Sequence, residues 1–540
     1  MFKAAIISSL FVFPLLGSCL AQEHEHGAVE KLGAVHFSTS CNADAQREID
    51  RSVALLHSFQ FSRAIQGFNA VLTADPICGI AYWGIALSQW SNPFAPGKKD
   101  TAQLQAGRES ATLGKKAGAK TQRERVYIAA VAKLYNDFEN APQQARLIAY
   151  RDAMEGVAAK YPDDHEAQIF YALALAASEE PTDKTYAARL KAGEILEKLF
   201  EEEPTHPGLA HYIIHTYDVP ALAPRALKAA RRYSEIAPDA PHALHMPSHT
   251  FTRTGYWQKS IDANVAAAAA AKREGQTAEE LHASDYQIYA YLQTGQDAAA
   301  KRVLDSLPEI ASRFDPKVVI GGAGGPSAGY FALAAIPARY ALEREDWTRA
   351  QQLTPQETPF PYTEAMTWLA RGLGGAHQGQ PTTARESVTA LKLIRERLSK
   401  ADENYWAQQV EIQELEVGAW GALAEGKKEE ALRQMKSAAQ VEDGTDKSAV
   451  TPGPLAPARE LLGEMLLEMK EPALALEQFE ATLQKEPGRF RALYGAARAA
   501  QLSGNPETSQ RYFHELLKIC ERADDPGRAE LIEAKKALKN

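Results

Sequence analysis

Cysteine is scarce in this chain, with four in 540 residues. A disulfide framework therefore cannot be what holds so long a polypeptide together, and the fold must rest on packed apolar faces. Cys520 lies in the apolar run LLKIC and reads as core. Cys41 and Cys78 stand 37 residues apart, near the same ends of two expected neighbouring helices. A bridge between them would close a loop worth about 3 to 4 kcal/mol in a chain-entropy treatment. Bridged and free states stay equally open, because sequence does not show whether the Cα atoms come within about 7 Å.

Other absences narrow the function. Period-two alternation is almost missing, which argues against strands. Beyond the first 21 residues no run approaches the roughly 18 apolar residues that cross a bilayer. Charged residues make up 24% and the formal net charge is -9, with both signs interspersed and no basic tract, so nucleic acid is not an expected partner. HExxH is absent, and no Cys-His nucleophile arrangement stands out. The glycine-rich VVIGGAGGPSAGY around Gly321 to Gly325 lacks the Lys-Ser/Thr ending of a phosphate loop, and it does not match GxGxxG followed by an acid. It reads as a lid or an irregular connection.

What is present begins with an export signal over residues 1–21: Lys3, the apolar AAIISSLFVFPLL, then small residues. LGSC at Leu16 to Cys19 resembles a lipoprotein box and makes Cys19 a lipidation candidate, the route we favour slightly. Ordinary cleavage after Ala21 would instead start the chain at QEHEHG, whose amine, two amide nitrogens and His24 suit square-planar copper(II) or nickel(II). Residues 22–42 are then a tether. The expected setting is exported, periplasmic or tethered to the outer membrane, with no transmembrane span and a lipid anchor as an option.

The rest alternates helix-compatible stretches with short turns. A small-large-small-Pro pattern recurs at steps of four, three and five, as in Ala64, Phe68, Val71, Pro76 and in Tyr150, Met154, Val157, Pro162. The same steps fit Ala192, Leu196, Leu199, Pro204, then Ala226, Ala230, Tyr233, Pro238, and far downstream Ala475, Phe479, Thr482, Pro487. The small residue lets two helices approach, the larger one fills the gap, and proline stops the helix. Degenerate copies centre near Ser260, Ala300, Ala350, Ala384, Ala431 and Ser509.

This signature resembles the tetratricopeptide repeat over most of residues 43–525. Blocks such as PHALHMPSHTFTRTGYW and SVALLHSFQFSRAIQGFNAVLTADPICGIAYWGIALSQW also resemble a bacterial group of exported tetratricopeptide-repeat proteins with no established activity. The resemblance implies an all-α, right-handed superhelical solenoid of about 10–12 helical hairpins. We divide it into an array at 43–310 with a His-rich groove, degenerate central helices at 311–440, a linker at 441–457 and C-terminal hairpins at 458–540. In that family the first helix of each repeat lines a concave groove, which commonly takes a protein or peptide partner.

Histidines mark the candidate site. His211 and His215 are four residues apart, as are His245 and His249, and the second pair follows the first by 34 residues, one repeat. Each step of four puts both rings on one helix face. Repeat counting places both pairs, His242 and Asp218 on the groove. Aligning Gly255 with Gly295 then lays His282 over His242, Asp285 over His245 and Tyr289 over His249. The metal-ligand candidates are therefore His211, His215, His242, His245, His249, His282 and Asp285, with Asp218, Tyr289, His206 and His57 as supporting or substrate-binding groups. Nitrogen and oxygen donors suit a divalent transition metal, zinc or copper foremost and iron third. Pro247 either kinks the helix between His245 and His249 or opens a new one. His57, Trp83 and Trp90 fall at groove positions of the first two hairpins, with core packing expected for Trp83.

The leading reading is an exported scaffold or binding protein with a His-rich metal site on its concave face. A metal-dependent hydrolase or oxidase on the same groove is the rival, and enzyme status stays undecided. The third reading is a metal-free scaffold whose groove, lined by Tyr212, Tyr217, Tyr286, Tyr289 and Tyr291, grips a peptide. Structural histidines without function would be the plain alternative.

Overall fold

A computed structural model describes residues 30–539 other than 96 and 181. The export signal, Cys19 and the QEHEHG start lie outside the described residues. Within them the chain is all helix and turn, with no strand. Helices pair in sequence as antiparallel hairpins, from Ala43–His57 with Phe61–Ala74 to Phe490–Leu502 with Pro506–Ile519, and Ala529–Ala537 ends the stack. Their number falls in the expected range, and the architecture is an all-α, tetratricopeptide-like solenoid. No helix among the described residues is long and apolar enough to cross a membrane.

The repeat pattern explains the packing. Ala64, Phe68 and Val71 are buried, as are Ala192, Leu196 and Leu199 and, at the far end, Ala475, Phe479 and Thr482. Glycine opposite the large residue makes the approach close: a Cβ on Gly84 would sit 2.3 Å from the Phe68 ring, and one on Gly495 would sit 2.4 Å from Phe479. The degenerate centres Ser260, Ala300, Ala350, Ala384, Ala431 and Ser509 are all buried too. Smallness at that position survives where proline and length do not.

Two segments expected to be loose are built in. Residues 30–41 pack on the array, with Phe37 fully buried and stacked on Trp83 at 4.8 Å between centroids. Ala34 donates its N–H to the Thr205 carbonyl, so this part is no free tether. Trp83 is core, as its tight YWG context suggested, and Trp90 is buried against Tyr135. Cys41 and Cys78 are joined by a disulfide with Cα atoms 5.2 Å apart, and Cys520 is a buried free thiol.

The stretch 441–457 is likewise no flexible linker. After Lys428–Asp443 it runs without regular structure through the inside of the coil. There the Lys447 amine meets Asp218 at 3.2 Å, the Ala449 and Thr451 carbonyls accept the Tyr286 hydroxyl, and the Gly453 and Pro454 carbonyls accept Arg339. Successive turns of the coil also touch. Trp257 donates its indole N–H to the Gly488 carbonyl at 2.7 Å, Arg489 donates to Tyr289 at 3.0 Å, and the Lys98 N–H reaches Glu403 at 3.3 Å. An open groove was expected here, and the chain itself fills it.

Candidate metal centre

Pro207 opens the helix Pro207–Thr216, which carries His211 and His215 one turn apart. The next pair sits on a broken element: Pro241–His245 ends, Met246 intervenes, and Pro247 opens Pro247–Arg253. The proline thus starts a new short helix, yet the Met246 N–H still bonds the His242 carbonyl. His282 comes from Thr277–Gln293. All six histidines, with His242, are buried.

They form two triads, His211 with His215 and His242, and His245 with His249 and His282. Within each, one candidate ligand atom per residue lies within 4.8 Å of the others. In the second triad the proton positions follow from the neighbours. His245 donates Nδ1–H to Asn264 Oδ1 at 2.7 Å, and the Asn264 amide is fixed because its NH2 donates to the Ser260 carbonyl. His249 donates Nδ1–H to Asp218 Oδ2 at 2.9 Å. Each Nε2 therefore carries a lone pair and no proton. Those two Nε2 atoms face each other at 3.1 Å. Two lone pairs at that distance repel unless something positive lies between them. A tetrahedral ion bound at about 2.0–2.1 Å by each would hold them roughly 3.3 Å apart.

The first triad is open in the same sense. His211 donates Nδ1–H to the His57 carbonyl at 2.6 Å, which leaves its Nε2 with no partner. His215 Nε2 and both ring nitrogens of His242 are also buried without a partner. His242 Nδ1 is 3.7 Å from Glu279, too far for a hydrogen bond. Burial, reinforced by neighbouring imidazoles, pushes the pKa of His211, His215, His245 and His282 well below the ordinary histidine value. Burial lowers His249 to about 4 against the pull of Asp218. Those five rings are therefore held toward the neutral state that a metal needs.

Supporting groups surround the triads. Burial alone would raise Asp218, but Lys447, the His249 hydrogen bond and Arg253 together hold it well below the usual carboxylate range. Arg253 bonds both an oxygen and the carbonyl of Asp218. His57 and His206 belong to another network, in which both donate Nε2–H to Glu166, at 2.9 and 3.1 Å, while Tyr212 bonds His57 Nδ1. Glu166 thus already has two ring N–H donors, so this group holds its shape by protons and acts on the site through the His57 carbonyl. Gly208 is required there, since a Cβ would lie 2.4 Å from His57 Nδ1.

Two expected residues are elsewhere. Both Asp285 oxygens face Arg339, at 3.0 and 3.3 Å, and Asp285 joins neither triad. Tyr289 bonds Arg489 and packs edge-on to Trp257. On the uninterrupted helix Thr277–Gln293, the stripe facing the triads is Glu279, His282 and Tyr286, with Tyr286 4.8 and 4.9 Å from the His245 and His249 rings. Tyr289 lies about 10 Å further along the axis than His282. The three- and four-residue steps of that stripe were legible; Asn264, Glu166 and Lys447 carried no comparable signal.

His215, His242, His249 and His282 form one wall of a chamber of about 450 Å³. Asn92, Lys99, Gln103, Tyr330, Phe360 and Tyr362 also line it. Lys99 donates to the Asn92 carbonyl at 2.8 Å, and burial pushes its amine down to about 7. The glycine-rich segment closes one side: the Gly324 N–H donates to Glu279 at 2.6 Å, and the Gly321 carbonyl accepts from the Ser62 N–H. It forms part of the chamber wall and contributes no phosphate-binding loop.

No family model matches the chain, and no curated protein matches it. Among solved structures it is similar to a human IFIT1 dimer with m7Gppp-AAAA, at 10% identity and a TM-score of 0.37, over 89% of this chain and 96% of that one. A monomeric IFIT1 mutant with Gppp-AAAA gives 10% identity and a TM-score of 0.38, over 91% and 99%. No residue role passes from them to this chain.

Proposed function

We propose that this is an exported, metal-dependent protein in which His245, His249 and His282 hold a transition-metal ion beside a chamber for a small molecule. The facing Nε2 lone pairs of His245 and His249, 3.1 Å apart, carry this reading. Three protein ligands leave a coordination position free, and His249 and His282 border the chamber, so that position is within reach of a guest. The chamber's volume is in the range of small-molecule sites. Zinc and copper suit imidazole donors best, with iron third. Oxidase or hydrolase chemistry fits this arrangement better than gripping a peptide, because the chain's own 445–454 segment occupies the inner face.

Export is supported by the N-terminal signal pattern, by the resemblance to exported repeat proteins, and by the Cys41–Cys78 disulfide, which suits an oxidising compartment. Lipid attachment at Cys19 would place the protein at a membrane surface. Metal content of the purified mature protein after dialysis tests the site. Retention of stoichiometric metal by the wild type, with loss in His249→Ala, is expected. A wild type that stays metal-free after incubation with zinc, copper and iron overturns the proposal.

A further inference from the structure

The two triads are not separate features. His215 and His249 are 5.8 Å apart between ring centroids, and so are His242 and His245, the same range that separates rings inside each triad. Each triad also shows two rings to the same chamber, His215 and His242 from one, His249 and His282 from the other. Four buried ring nitrogens of the first triad have no partner, which a single ion in the second triad would leave unexplained.

We infer that the six histidines hold a pair of copper ions, three imidazoles to each, whose free positions meet in the chamber and take a small bridging ligand, dioxygen. This rests on the metal-dependent reading above and extends it to the His211, His215 and His242 triad. The donor set selects the metal. All six donors are neutral nitrogens, which disfavours calcium and magnesium. Two divalent ions would bring four positive charges into a buried site, where Asp218 is already paired with Lys447 and Arg253 and Glu279 stands 3.7 Å from His242. Two copper(I) ions bring half that charge, and imidazole is a donor that suits copper.

Dioxygen suits the pair electronically. Each copper(I) gives up one electron and becomes copper(II), dioxygen takes both and becomes a bridging peroxide, and no proton or leaving group is required. Tyr286, against the His245 and His249 rings, and the histidine packing keep bulk water from one side of the pair.

The test is anaerobic loading of the full mature chain with copper(I), desalting, metal counting, then titration with oxygen. Two copper ions per chain and one dioxygen consumed per pair are expected, with the oxidised pair silent in electron paramagnetic resonance because the bridge couples the spins. His211→Ala and His242→Gln, each checked for folding by circular dichroism, should hold one copper and consume no dioxygen. One copper in the wild type, or none, overturns the pair, whereas the single-metal site falls only if zinc and iron fail to bind as well. Two copper ions with a full resonance signal overturn the shared bridge.

Discussion

His249 Nδ1 and Asp218 Oδ2 are 2.9 Å apart, and the second Asp218 oxygen is bound by Arg253 at 3.1 Å. The carboxylate therefore sets both the tautomer and the aim of the ring that faces His245. Asp218→Asn keeps the shape but removes the charge that Lys447 and Arg253 surround. We expect a 10- to 100-fold loss of metal affinity in chelator competition, as such outer partners typically contribute. Breaking the buried charge group should also destabilise by about 3–5 kcal/mol in denaturant melts. Unchanged affinity would show that Asp218 does not orient the ligand.

Asp285→Asn separates the two carboxylates. Its side chain serves Arg339, so metal stoichiometry should stay at the wild-type value while stability drops by about 3 kcal/mol. Loss of metal together with retained stability would return Asp285 to the ligand set.

Acid should weaken the metal-free protein through its histidines. Burial lowers the folded pKa of His249 from 6.5 to about 4, with His211, His215, His245 and His282 shifted the same way, so the unfolded chain binds more protons below pH 6.5. Their contribution is fully present above about pH 6.5 and is lost as pH falls toward the folded values. Thermal melts of apo protein from pH 7.5 to 4.5 should show this decline, and His249→Gln should flatten part of it. A melting temperature independent of pH across that window would contradict buried neutral rings.

Reduction of the Cys41–Cys78 bridge should lower stability by about 3 to 4 kcal/mol, the usual contribution of a loop of this size. Because the bridge lies at the start of the array, metal content should be unaffected. A Cys41→Ser, Cys78→Ser double variant with wild-type stability would remove the bridge from the account.

The solenoid was readable because its packing rule is local: a small residue at Ala64 or Ala475 with a large one four places on is visible in the chain. The paired histidines were readable for the same reason, since a four-residue step and a 34-residue repeat fix their face. Register failed at Asp285 and Tyr289, where a stretched repeat was aligned by its turn glycine although the helix Thr277–Gln293 is continuous and turns Glu279, His282 and Tyr286 inward. Closure of the groove was not legible. Lys447 reaches Asp218 from 229 residues away, and no periodicity encodes a contact between turns of a coil. The stretch around it reads as a linker because several of its carbonyls bond distant side chains, Tyr286 and Arg339, and build no helix ladder.

The most direct test of the metal site is anomalous diffraction from crystals of the metal-loaded protein, measured on both sides of the absorption edge. A peak within about 2.0–2.1 Å of Nε2 in both His245 and His249 is predicted, with His282 completing the set. Fully loaded crystals with no peak between those two nitrogens, or with the peak on other residues, would contradict it.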